Sequence, residues 1–126
     1  LNQKSGLLGI SGISPDMREI KAKEQTDPRA KLAVDVFINR IVKYAGSFLT
    51  ELNGADALVF AGGIGEHNDD LRQEIIDELA IFNVKLDKDL NKAGHEGLIS
   101  SPDSAIKVLL IPTDEELEMV RQVAEL

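Results

Sequence analysis

Three clusters in this sequence combine residue types and spacings that suit chemistry. The densest is Gly62-Gly63-Ile64-Gly65-Glu66-His67, directly after the apolar run Ala57-Leu58-Val59-Phe60-Ala61. Three glycines in four positions let backbone approach a flat or charged ligand closely, because no Cβ stands in the way. In α/β proteins, ligands sit at the carboxyl end of a strand, just before a helix. The cluster is not a P-loop, because no Gly-Lys-Ser/Thr follows. It also falls short of a dinucleotide fingerprint, because Asn68 stands where the third glycine belongs. The acids Glu66, Asp69 and Asp70 would repel a phosphate near the next helix start. If a nucleotide binds, the turn therefore suits its base, sugar or first phosphate better than its terminal phosphates. The plain alternative is a tight strand-to-helix turn.

The second cluster is Ile111-Pro112-Thr113-Asp114-Glu115-Glu116. Carboxylates at a helix start favour the dipole and cap the helix. They also suit Mg²⁺, which takes one or two carboxylates, water and substrate phosphates. Thr113 and Glu116 have capping-box spacing, which leaves Asp114 and Glu115 as metal candidates. The third cluster is Ser14-Pro15-Asp16-Met17-Arg18. Arg18 can grip a phosphate or sugar, and Asp16 can accept a ribose hydroxyl. A capped helix with a surface arginine is the alternative. His67 and His95 have no metal-ligand spacing, and no nucleophile–base pair stands out.

These clusters need elements to position them. Residues 5–13 are small and apolar, which predicts a loop or short strand. Ser14 and Pro15 read as N-cap and first position of a helix to about Lys23. Asp27-Pro28 repeats the signal and predicts a long helix from Pro28 to about Asn53, roughly 39 Å, stopped by Gly54. Ala30, Ala33, Phe37, Ile41, Ala45, Phe48 and Leu52 mark its apolar face, widened by Val34, Ile38, Val42 and Leu49. Ala57–Ala61 reads as a strand, and Asp69 to about Ala80 as a helix with Leu71, Ile75, Ile76 and Leu79 inward. Val84 and Leu86 alternate like a short edge strand. Residues 91–97 and 100–104 read as loops, and 106–111 as a second strand. A last helix is expected from about Asp114 onward. Strands alternating with helices argue an α/β fold. Few strands are visible, so the sheet is expected to need partners from elsewhere.

The 126 residues suit one compact domain without a dividing linker. There is no cysteine, which excludes disulfides and thiolate metal sites. Fourteen basic against 22 acidic residues leave a net charge of −8, a poor match for nucleic acid. The lack of cysteine fits a cytoplasmic location, which is expected; no apolar run approaches a membrane span and no signal peptide is visible. The start at Leu1, within a Gly6-Leu7-Leu8-Gly9-Ile10-Ser11-Gly12 pattern, suggests a piece of a larger fold.

The three clusters occur in one order, and together they resemble the acetate kinase family. Ser5 to Ser14 followed by Asp16-Met17-Arg18 resembles its serine-glycine stretch before an Asp-x-Arg. Leu58 to Glu66 resembles its second nucleotide motif, and Ile111 to Leu117 its closing motif. The resemblance spans nearly the whole chain. It implies the C-terminal lobe of the fold shared by acetate and sugar kinases and actin, RNase H-like, with helices on a small mixed sheet. It implies reversible phosphoryl transfer between ATP and acetate, giving acetyl phosphate and ADP, with Mg²⁺ as cofactor. Asp16, Met17, Arg18, Gly63, Ile64, Gly65, Glu66 and His67 would contact the nucleotide, and Glu115 would be the magnesium-associated acid. Two positions depart from the family pattern: His67 replaces a usual Asn, and Asp114 replaces a frequent one. The acetate pocket and the Arg and His residues around the moving phosphoryl group would lie outside this chain, which alone should be inactive. Family members dimerise through this lobe, so a homodimer is expected. The alternatives are a propionate or butyrate kinase lobe, or a non-catalytic dimerisation module.

Overall fold

The computed structural model describes residues 5–114, 119, 120 and 123. The chain divides between Ala55 and Asp56 into two compact units.

The first unit is helical. Helix α1 (Gly6–Ser11) and helix α2 (Met17–Lys21) pack on helix α3 (Pro28–Glu51). Met17, Ile20, Ala30, Ala33, Val34 and Ile38 are buried. Residues 5–13 are thus mostly helix, not the expected loop or strand. Gly12 closes α1 with φ +69, a left-handed cap whose N–H reaches the Leu8 carbonyl at 2.8 Å. The Arg29 guanidinium crosses this cap and donates to the Ile10 carbonyl at 3.0 and 3.1 Å. The left-handed φ asks for glycine at 12, and a Cβ there would also lie 3.1 Å from that guanidinium, which would have to shift by a few tenths of an ångström.

The start of α2 also differs from expectation. Asp16, not Ser14, caps it: its Oδ1 accepts from Arg18 N at 2.9 Å. Ser14 Oγ accepts from Asp16 N at 3.1 Å and so organises the turn before the helix. Helix α3 begins as expected, with Asp27 accepting from Arg29 N at 2.8 Å and Pro28 next. It ends in a Schellman motif. Gly54 N donates to Leu49 O at 2.8 Å, Asn53 N to Thr50 O at 3.1 Å, and Asn53 takes φ +55. The expected apolar face is buried along the first half of α3. Toward the end Leu49 alone is buried, while Tyr44, Phe48 and Leu52 are exposed.

The second unit is a small mixed sheet with helices. Strand β1 (Ala57–Phe60) pairs in parallel with β3 (Lys107–Leu110), and β2 (Gly97–Leu98) pairs antiparallel with β3, giving the order β1-β3-β2. Val108 and Leu110 of β3 are buried. Leu71, Ile75, Ile76 and Leu79, the predicted inward face of helix α5 (Asp69–Glu78) and the residue after it, are buried as well. A 3-10 turn, Ala80–Phe82, completes that helix.

Three expectations need correction here. Gly62–His67 is a short helix, α4, where a bare turn was expected. Residues 88–93 form helix α6 (Lys88–Ala93), which takes in the start of the expected 91–97 loop. Asp87 caps it, its Oδ1 accepting from the N–H groups of Asp89 and Leu90, each at 3.0 Å. Gly97 belongs to β2. The Val84–Leu86 stretch makes one isolated bridge, Leu86 to Ser100, and no strand. The expected capping box depends on Glu116, which lies outside the described residues. Of the expected last helix, Met119, Val120 and Val123 are helical.

Candidate functional site

Parallel pairing brings two distant clusters to one edge. Phe60 and Leu110 are partners in the β1–β3 register, and Ile111 N donates to Phe60 O at 2.9 Å. Both strands end there. The glycine segment leaves from β1, and the segment 111–114 leaves from β3, at the carboxyl edge where α/β folds place ligands.

Helix α4 starts at extended Ala61 with no side-chain cap. Gly62 has φ +72, so a side chain there is strained. Gly63 differs: its φ is not left-handed, it is exposed, and a Cβ on it would meet no atom within 4 Å. No feature of the described chain requires glycine at 63, which leaves open space beside its backbone. Gly65 is close to β1, with its Cβ position 3.6 Å from Phe60 Cβ. Ile64 and His67 are exposed.

Glu66 ties the two segments together. Its Oε1 accepts from Thr113 N at 2.9 Å and from Thr113 Oγ1 at 3.2 Å. The Thr113 N–H is the main cause holding the Glu66 carboxyl below its ordinary value. Residues 47 apart in sequence thereby share one short bridge.

Beneath α4 lies a residue that sequence reasoning missed. Arg72 is only 1% exposed, and its guanidinium bonds entirely to neutral oxygens. Nη1 donates to the carbonyls of Gly65 and Glu66 at 2.6 and 2.8 Å. Nε and Nη2 donate to Asn91 Oδ1 and O, each at 2.7 Å. Asn91 Nδ2 in turn donates to Asp69 O at 2.9 Å. Burial lowers the Arg72 pKa from its ordinary value, yet a guanidinium stays charged. The end of α4 is where a cation is favoured, because the last carbonyls of a helix lack partners. The signal was present: Arg72 falls in the Leu71, Ile75, Ile76, Leu79 stripe, where a charge is out of place.

The third cluster belongs to the first unit. Arg18 and Asp16 form an exposed ion pair, with Arg18 Nη2 to Asp16 Oδ2 at 2.6 Å and Nε to both carboxylate oxygens at 3.1 Å. The Arg18 guanidinium holds the Asp16 carboxyl below its ordinary value, and Asp16 raises Arg18. The Met17 side chain is buried, so only its backbone faces outward chemistry.

Among the described residues, no three His, Asp or Glu side chains gather in the spacing that holds a metal. Glu115 lies outside the described residues. Exposed Asp114, on the segment that Glu66 holds, is one carboxylate. A single carboxylate with nucleotide phosphates and water suits Mg²⁺, which seldom uses a cage made wholly of protein.

Comparison with known proteins gives the family. The sequence pattern of the Acetokinase family matches residues 1–121. The acetate kinase of Lacticaseibacillus paracasei is 53% identical over 128 residues, taking in 100% of this chain and 32% of that protein. The crystal structure of acetate kinase from Entamoeba histolytica superposes with a TM-score of 0.89 at 34% identity, covering 100% of this chain and 35% of that one. A propionate kinase from Francisella tularensis does so with a TM-score of 0.86 at 40% identity, covering 97% of this chain and 31% of that one. The chain spans about a third of the length of the curated relatives it matches. Its α/β architecture, helices packed on a small mixed sheet, is shared with these kinases, and the chain belongs to the acetokinase family.

Proposed function

We propose that this chain is the nucleotide- and magnesium-side lobe of an acetate kinase, a phosphotransferase with a carboxylate acceptor that converts ATP and acetate to acetyl phosphate and ADP. The observation that carries this reading is the carboxyl edge of β1 and β3. There the glycine helix and the segment bearing Asp114 leave adjacent strands, bound by Glu66 and Thr113. In this reading Gly63, Ile64, Gly65 and His67 meet the adenosine and first phosphate. Asp16, Arg18 and the Met17 backbone give further nucleotide contacts. Asp114 and Glu115 meet Mg²⁺, which when bound neutralises phosphate charge. Phosphoryl transfer depends on positioning and on cations around the equatorial oxygens. A chain with net charge −8 supplies the nucleotide hold, and those cations come from outside it.

The test is calorimetric titration with Mg-ADP. Saturable binding that weakens on Gly63→Val or Arg18→Ala supports the reading. Full affinity retained in both variants refutes it. Acetyl phosphate made by the isolated chain at the rate of a whole enzyme would refute the division of labour.

A second reading, a propionate kinase lobe, is favoured by the 40% identity to the Francisella enzyme. The two differ in the acyl pocket, so turnover of acetate against propionate by the whole enzyme decides. We also propose a homodimer, supported by exposed Tyr44, Phe48 and Leu52 on α3 and checked by sedimentation. The alternative of a pure dimerisation module predicts that dimer with no Mg-ADP binding. Among the described residues no helix is long and apolar enough to cross a membrane.

A further inference from the structure

We infer that Glu66 is a positioning residue, coupling the glycine helix α4 to the acidic turn at Thr113 and Asp114, with Arg72 anchoring Glu66's own backbone. This rests on the nucleotide reading above, and it gives Glu66 a different task from the direct nucleotide contact that resemblance implies.

Glu66 is held at both ends. Its carbonyl accepts from Arg72 Nη1 at 2.8 Å, and the preceding carbonyl of Gly65 accepts from the same nitrogen at 2.6 Å. Its carboxylate takes both donors of Thr113 on one oxygen. A carboxylate so engaged is turned toward protein donors, and its charge is partly satisfied before any phosphate approaches.

Both segments draw on contacts that include this bridge. Helix α4 has six residues, Ala61 before it offers no side-chain cap, and its own Gly62 N–H adds to what holds the Glu66 carboxyl below its ordinary value. So short a helix has little stability of its own. Residues 111–114 are exposed and in neither helix nor strand, and Ile111 N donates to Phe60 O. Above the strand ends joined by Ile111 N and Phe60 O, the Glu66–Thr113 bridge is the side-chain link that couples the open backbone at Gly63 to the segment bearing Asp114. A nucleotide that touches the first and carries a metal to the second needs their spacing fixed, because small misplacements are costly in phosphoryl transfer.

The experiment is a double-mutant cycle in a whole acetate kinase carrying this lobe. Glu66→Ala, Thr113→Val and the double variant are compared for KM of Mg-ATP and for kcat. Glu66→Ala is expected to raise KM by about tenfold, a coupling of ordinary size for residues in contact. Thr113→Val, which keeps its N–H, should do less, and the double variant should be no worse than Glu66→Ala. Glu66→Gln, whose amide oxygen still accepts, should recover most of the loss. Multiplicative effects in the double variant would mean that Glu66 touches nucleotide independently, and would overturn the inference.

A second readout needs no nucleotide. The Thr113 amide proton should exchange slowly in the unsubstituted enzyme and fast in Glu66→Ala; equal exchange would also overturn the bridge. Failure of the underlying reading looks different. Gly63→Val would leave the Mg-ATP KM unchanged, while the exchange difference at Thr113 would still stand or fall by itself.

Discussion

Arg18 and Arg72 are the same side chain put to opposite uses. Arg18 is 80% exposed and bonds a carboxylate two residues away. Arg72 is buried and binds carbonyls 6, 7 and 19 residues away, with no carboxylate in the set. The first pair is local, screened and adjustable, fit for a ligand to compete with. The second is structural: a fixed charge filling the end of α4 from below. At the Arg18 cluster, then, charge is displayed; at the glycine cluster it is built in, and the displayed feature is bare backbone.

That contrast can be broken by mutation. Arg72→Ala strips partners from four buried or half-buried oxygens and leaves a void. A loss of about 3 kcal/mol or more is expected in urea unfolding, with the glycine helix loosened. Arg18→Ala should leave the urea midpoint where it is while weakening Mg-ADP binding. Equal destabilisation by the two would erase the distinction.

The glycines sharpen it further. Gly62→Ala forces a side chain into φ +72 and should cost about 1–2 kcal/mol. Gly63→Ala meets open space in an ordinary helical position, so stability should hold or rise by up to about 1 kcal/mol, judged by thermal unfolding. Nucleotide affinity should nevertheless fall. A stable variant that binds worse marks glycine kept for a ligand and not for the fold.

The smallest effect is in acid. Asp16, Glu66 and Asp103 all have carboxyls held below their ordinary values, Asp103 at about 2 by Lys85 and Ser101. Their contributions are complete above the ordinary carboxylate range and fade as pH falls through the lowered values. Nitrogen NMR should show the Arg18 Nε signal moving as Asp16 protonates. The Arg72 Nε should stay fixed as long as the chain is folded, since its partners do not titrate.

The sequence carried some of this plainly. Asp27-Pro28 marked the start of α3, and Leu71, Ile75, Ile76 and Leu79 marked a buried face, because caps and periodicity are local signals. The parallel strands were legible as apolar runs. Their register was not, and register is what joins Glu66 to Thr113. Helices α1 and α4 were hidden because glycine-rich segments of six residues carry weak propensity, and tertiary contacts such as Arg29 on Ile10 and Arg72 on Gly65 hold them. Helix α6 had a legible start at Asp87, overlooked beside Gly94 and Gly97. The glycine cluster stood out by composition, although as a turn and not as helix α4, and its support from Arg72 was legible only as a charge out of place in an apolar stripe, whose depth the sequence does not carry.

The end of α3 bears on how long the molecule lasts. Asn53-Gly54 is the dipeptide most prone to deamidation, which begins when the glycine's backbone nitrogen attacks the asparagine side chain. Here that nitrogen already donates to Leu49 at 2.8 Å, inside a turn that pins both residues. The folded chain therefore shields its weakest chemical link, and any fraying of this helix end starts a slow clock. Isoaspartate accumulating at position 53 would count the time that the last turn of α3 spends undone.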